Sequence, residues 1–199
     1  MIYSRVMPRP FYAALIWLAA TVLLASGCGD DNEEPGATTP AATASEEPTE
    51  QPFSGGRDPV FATPRPAFVS VLLTDIRTAE RGGFDRITFE FVFALPGFDV
   101  RYVEPPIAYD PRGDEMEIQG EAFIVVRMEP AAGHDPDTGD PTYLGPLELK
   151  TALPSLLEAE RVGDFEGVLS WALGLRAEAD FRVTTLEDPP RLVVDIAHP

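Results

Sequence analysis

The run Phe84 to Leu95, FDRITFEFVFAL, most constrains what this chain can fold into. Ile87, Phe89, Phe91 and Phe93 alternate with Arg86, Thr88 and Glu90. A period of two marks a strand with one apolar face, and no helical stripe fits it. Pro96-Gly97 ends the run. The same text recurs near the C-terminus. Phe181 to His198 holds two alternating runs joined by Glu187, Asp188, Pro189 and Pro190. In the second run Leu192, Val194 and Ile196 oppose Arg191, Val193 and Asp195. Proline and acidic residues between two such runs predict a hairpin.

Shorter apolar runs predict further strands at Phe68 to Ile76, Val100 to Val103, Met116 to Ile118, Ala122 to Met128 and Val168 to Leu175. Glu80 to Gly83 reads as a turn, and Pro130 to Pro146 as a long loop. Leu147 to Val162 fits either a helical turn or a strand after Pro154. No helical period is sustained anywhere in the folded part. Seven to nine short, mostly antiparallel strands at regular spacing predict an all-β fold, a compact β-sandwich over residues 67–199. That length buries a core without covalent staples. The single cysteine, Cys28, allows no disulfide within the chain and no cysteine-based zinc site.

The charges on the two cleanest runs predict how they pair. Arg86 and Glu90 are four residues apart, as are Arg191 and Asp195. Antiparallel pairing in register sets Arg86 opposite Asp195 and Arg191 opposite Glu90. Parallel pairing would set like charges opposite each other, which is unfavourable. These four residues are therefore expected to hold register and not to form a binding site, and a ligand is to be sought on the loops.

The N-terminal part has a different character. Arg5 and Arg9 precede an apolar stretch, Phe11 to Leu24, that is short of the roughly 20 residues a membrane span needs. Ala25-Ser26-Gly27 then lead into Cys28. Residues 1–27 read as an export signal, and the small residues before Cys28 resemble a bacterial lipoprotein box. Ala25 stands where that pattern prefers Leu. The resemblance implies a diacylglycerol on Cys28, the bilayer as a partner, and an exported protein. It would be held on the outer face of the cytoplasmic membrane or on the outer membrane. Two or three acyl chains, at about 0.8 kcal/mol per buried CH2, make a stable anchor. Residues 28–66 are acidic and rich in Pro, Thr and Ala, and almost lack large apolar side chains. They are expected to be a disordered tether with an r.m.s. reach of roughly 35 Å.

A formal net charge of −18 argues against nucleic acid or an anionic membrane surface as the partner. Asp135, Asp137 and Asp140 imitate a calcium loop, but Gly139 and Pro146 occupy positions that need a ligand. His134 and His198 are the only histidines, and no Gly-x-Ser-x-Gly elbow exists. The acid pairs Glu115/Glu117 and Asp164/Glu166 have nothing that sets them apart from chance, and Arg112-Gly113-Asp114 is sufficiently explained as a turn. No catalytic residue, metal or cofactor is assigned. Tyr102, Tyr109 and Tyr143 lie near turns and are the candidates for an exposed binding contact.

The closing segment resembles that of the AMIN domain, through Phe181, Leu186, Asp188, Pro189, Pro190, Arg191 and the strand Leu192 to Ile196. With GGFDRITFEF and GDFEGVLSWALGL in the same order, the chain from about Ala67 to Pro199 is still more similar to the AMIN-like domain of bacterial lipoproteins. The resemblance implies a compact β-sandwich and a non-catalytic role, binding peptidoglycan or another envelope component. A scaffold that binds another envelope protein is the alternative. No catalytic domain is expected after Pro199, so any targeting is of this protein itself or of a separate partner.

Overall fold

The computed structural model describes residues 53–63 and 70–199. The expected export signal, Cys28 and most of the expected tether lie outside them. The described residues form thirteen strands and no helix. In chain order these are β1 (Val60–Ala62), β2 (Val71–Arg81), β3 (Phe84–Val92), β4 (Gly97–Val103), β5 (Ile107–Tyr109), β6 (Asp114–Met116) and β7 (Ala122–Glu129). There follow β8 (Ala131–Ala132), β9 (Glu148–Lys150), β10 (Leu156–Phe165), β11 (Val168–Leu175), β12 (Phe181–Leu186) and β13 (Arg191–Ala197). Eight of them are six residues or longer, and all but β10 fall on runs that the sequence marks as strand. The other five are pieces of two or three residues, too short to leave a period.

Two sheets carry the fold. One runs β12-β13-β3-β2-β8 and the other β1-β4-β7-β11-β10-β9. All pairings are antiparallel except the short β2–β8 contact. The closing hairpin pairs with β3, so the two runs that open the sequence argument are neighbours. Arg86 is opposite Asp195 and Arg191 is opposite Glu90, in the antiparallel register expected from their charges.

The inward faces interdigitate into one core. Leu73, Ile87, Phe89, Leu192, Val194 and Ile196 from the first sheet meet Ile124, Val126, Met128, Leu169, Trp171 and Leu173 from the second. Trp171 is the largest fully buried side chain. It takes Phe89 edge-on at 6.2 Å and Tyr143 at 5.8 Å between ring centroids, the edge-to-face geometry aromatic quadrupoles favour. At one end the sandwich is closed by a buried carboxylate. Asp85 on β3 accepts the backbone N–H of Ser155 at 2.6 Å and of Leu156 at 2.9 Å, at the start of β10. Its other oxygen lies 2.8 Å from His198 Nε2.

Several expectations are corrected. Phe93 does not continue the inward row of Ile87, Phe89 and Phe91. The strand ends at Val92, Phe93 takes φ 76°, and its ring is 81% exposed. The strand expected to stop at Ile76 runs on to Arg81, so the turn is only Gly82-Gly83, with φ +80° at Gly83. Leu156–Phe165 is strand, which settles the ambiguous stretch. The folded part also begins before Ala67. Phe53 packs on Phe84, Gly56 bonds Phe181 through both backbone groups, and β1 adds to β4. A segment otherwise poor in large apolar residues is held here by the Phe53 ring, by the paired backbone bonds of Gly56 and by β1, which extends the edge of a sheet.

The outer faces of the two sheets differ. The β5–β6 hairpin lies over the second sheet, where Ile107 and Ile118 pack with Val162 and Ala172. The outer face of the first sheet carries the charged residues.

Candidate functional site

Register turns that outer face into a readable lattice. Successive rows across β2, β3, β13 and β12 hold Ala79, Arg86, Asp195 and Arg182, then Arg77, Thr88, Val193 and Thr184, then Asp75, Glu90, Arg191 and Leu186. Arg81 stands opposite Phe84 at the turn end of β2. Five of the chain's fourteen arginines thus share one sheet face of a protein with net charge −18. Ala79, Thr88 and Val193 floor a bowl of about 260 Å3, rimmed by Arg77, Arg81, Arg86, Arg191 and Leu186. Val193 is only 2% exposed although it points away from the core, because long side chains surround it.

The arginines have unequal partners. Arg86 donates to both oxygens of Asp195, at 2.6 and 2.9 Å, and Arg182 donates to the same carboxylate at 2.9 Å. Asp195 is fully buried, so one desolvated acid holds two guanidinium groups in place. The hydrogen bond to Asp195 pushes the Arg86 guanidinium above its ordinary value, with burial opposing; its charge is permanent. Arg182 also lies 4.8 Å from the Phe53 and Phe84 ring centroids, and Arg86 lies 5.4 Å from that of Phe84. Such cation–π contacts contribute about 0.5–1 kcal/mol each at partly exposed sites. Arg77 pairs with Asp75 at 2.8 Å and Glu90 at 2.5 Å. Arg81 and Arg191 reach no carboxylate among the described residues. Arg81 donates to the Glu80 carbonyl and Arg191 to the carbonyls of Pro189 and Asp188.

A planar guanidinium on a rigid strand, with its remaining N–H groups facing solvent, is suited to bind carboxylate or phosphate oxygens. The bowl therefore has the donor chemistry to hold an anion. The AMIN-like domain family matches residues 71–198, from the first strand of this face to the last. The chain belongs to the AMIN-like domain family. No curated protein and no solved structure matches it.

In this AMIN-like domain the three tyrosines do not form one surface, and none lines the bowl. Tyr143 is 7% exposed, meets Trp171 edge-to-face and donates to the Pro146 carbonyl at 3.0 Å. Tyr102 is half-buried against Phe181; its hydroxyl donates to the Ala179 carbonyl at 2.6 Å and accepts the Ala179 N–H at 3.0 Å. Burial raises both phenols above their ordinary value. Tyr109 is the one whose ring has a charged neighbour, with Arg112 4.6 Å from its centroid.

Other polar groups of the AMIN-like domain have structural partners. Asp135 accepts the N–H groups of Asp137 and Thr138, which makes the acidic loop a self-bonded turn. Asp164 is nearly buried and holds Gly133 N–H, His134 Nδ1 and Arg161 Nη1, bracing the long loop on β10. Glu166, its supposed partner, sits exposed in the turn after β10 at φ 50°. Asp85, His198 and Ser155 come together, but the Ser155 hydroxyl donates to the Ala197 carbonyl at 2.7 Å and not to the imidazole. That group is a clasp and not a nucleophilic triad.

Sequence alone does not bring these arginines together. Arg77, Ala79 and Arg81 alternate with Ile76, Thr78 and Glu80, which continues the period of β2 past Ile76 and into the expected turn that starts at Glu80. Gly82-Gly83 carries the signal: two glycines between alternating runs mark a two-residue hairpin loop. Charge alone places Arg191 opposite Glu90. It stands opposite Glu90, but Arg77 holds that carboxylate.

Proposed function

We propose that this chain is a membrane-tethered, non-enzymatic binding module of the cell envelope. Its AMIN-like domain binds the cell wall, with peptidoglycan as the ligand, through the arginine bowl. A lipid on Cys28 anchors it and residues 29–52 span the distance to the wall. The observation that carries this reading is the pair Arg81 and Arg191. An acidic protein keeps two guanidinium groups without a described carboxylate partner on the rim of a stiff sheet. Peptidoglycan supplies carboxylates on its peptide stems and neutral sugar faces between them, which suit an arginine rim around an uncharged floor.

The test is retention of the full chain on purified sacculi. Wild type is expected to sediment with the wall, and Arg81→Gln with Arg191→Gln to reduce the bound fraction several-fold. Retention no greater than that of a folded acidic control overturns wall binding. The lipid anchor has its own check: Cys28→Ala is expected to move the protein from the membrane fraction to the soluble one.

A second reading rests on Phe93. An aromatic residue held at positive φ with its ring 81% exposed, beside Glu187, Asp188 and Pro190, is a natural protein-contact anchor. It supports a scaffold lipoprotein that binds another envelope protein. Loss of that partner on Phe93→Ser, with sacculus retention unchanged, would favour it.

A further inference from the structure

The partners of the five arginines say what shape of anion the bowl fits. The outer lattice carries Arg77, Arg81, Arg86, Arg182 and Arg191 against Asp75, Glu90 and Asp195. Asp195 is shared by two arginines, while Arg77 takes both of the other acids. The surplus positive charge therefore falls on Arg81 and Arg191. These two lie at opposite ends of the face. Arg81 is opposite Phe84 and Arg191 is opposite Glu90, six residues further along β3. At 3.3–3.4 Å per residue that is about 20 Å. Each guanidinium is also held at its own end, Arg81 by the Glu80 carbonyl and Arg191 by the carbonyls of Asp188 and Pro189. With each guanidinium turned to a carbonyl at its own end of this span, the two are set for separate anionic groups.

Between the two ends runs the uncharged floor of Ala79, Thr88 and Val193. We propose that the bowl takes a linear polyanion, a chain whose anionic groups recur along its length. It lies along the strands, one anion at Arg81, another at Arg191, and its neutral backbone on the floor. This deepens, and rests on, the wall-binding reading above. In a wall the shared chemistry has two sources, phosphodiester-linked polymers and chains bearing carboxylates. The net charge of −18 opposes any polyanion at long range, so binding is short-ranged and salt-sensitive.

The experiment uses the full chain and a defined probe, long-chain inorganic polyphosphate, against inorganic phosphate at equal phosphorus. Two linked contacts gain from effective concentration, so polyphosphate is expected to bind at least tenfold more tightly per phosphorus. Arg81→Gln or Arg191→Gln alone is expected to remove that advantage, because either leaves one contact. Arg127→Gln, on the other sheet, is expected to leave it intact. Equal binding of the two probes, or an advantage that survives Arg81→Gln with Arg191→Gln, overturns the proposal. The wild-type comparison stands whatever the variants do to folding.

Sacculi identify the source. Retention lost after hydrofluoric acid, which strips phosphodiester polymers, supports the phosphodiester source. Retention that survives the acid but is lost on carbodiimide amidation supports the carboxylate source. Retention that survives both treatments overturns the polyanion and leaves wall binding standing. No retention on untreated sacculi overturns wall binding, and the polyphosphate comparison then decides the polyanion site on its own.

Discussion

Arg86 and Asp195 face each other across β3 and β13 and are joined by two hydrogen bonds, of 2.6 and 2.9 Å. The acid is buried and the arginine half-exposed. Removing the acid strands two cations, because Arg182 depends on the same carboxylate. Asp195→Ala is expected to cost about 3 kcal/mol, near the low end for a buried pair because both arginines keep some solvent. Arg86→Ala should cost less, since Arg182 remains on Asp195. Urea unfolding of both single variants and the double variant measures the coupling. A coupling energy near zero would show that the pair holds nothing.

How much of this was legible in the sequence follows from the same lattice. Arg86, Glu90, Arg191 and Asp195 allow one favourable pairing, so register could be read before any coordinates. The partner of Glu90 could not, because the apolar run that marks β2 ends at Ile76. Its last five residues bring Arg77 to Glu90 and Arg81 to the rim. Five residues at one strand end therefore conceal the β2 side of the bowl. Tyr143 misled for a related reason. Loop position suggests exposure, but this loop folds back on Trp171, and nothing local in the sequence encodes that long-range contact. Period-2 text reports which face a residue takes and not what covers that face.

Asp85 is the second buried acid whose loss can be forecast. Its oxygens satisfy two backbone N–H groups at the start of β10 and the His198 ring. Asp85→Ala leaves both amides buried without an acceptor, at about 1–3 kcal/mol each. The expected loss is about 3 kcal/mol in urea unfolding. Hydrogen exchange at Ser155 and Leu156 should accelerate far more than exchange at Val194, in the centre of the closing strand. Uniform acceleration across the domain would mean that Asp85 is not a local clasp.

Glu160 gives a pH dependence of known sign. Burial is the largest cause that raises its carboxyl above the ordinary glutamate value, followed by the negative charges of Glu158 and Glu148. Glu148 is directly opposite it on β9. A carboxyl raised in the folded state keeps its proton longer there than in the unfolded chain. Its contribution is favourable while protonated and is lost as pH rises from the ordinary value through the raised one. Glu160→Gln is therefore expected to match wild type at about pH 4 and to exceed it at about pH 8. Relief of a like-charge pair is about 0.5 kcal/mol, or roughly 2 °C in Tm for a domain of this size. Thermal melts at the two pH values decide it. Equal stabilisation at both would point to helpful packing by Gln and not to relieved charge.

The domain boundary can be tested by truncation. A chain beginning at Ala67 follows the sequence-based boundary, and one beginning at Gln51 keeps the segment that the structure adds. The shorter chain loses the Phe53 ring from Phe84 and Arg182, the paired backbone bonds of Gly56 with Phe181, and β1 from the edge of β4. It also loses Arg57, which pairs with Glu178 at 3.0 Å and Asp180 at 3.3 Å on the approach to β12. The two ion pairs are exposed and contribute little. Partial burial of one aromatic side chain with its cation–π contact accounts for about 2 kcal/mol. The chain from Ala67 is thus expected to unfold at lower urea with a smaller m-value, because less surface is buried to begin with. Its closing hairpin, no longer tied at Phe181, should lose exchange protection first. Identical midpoints for the two chains would return the boundary to Ala67 and make the contacts of Phe53 incidental.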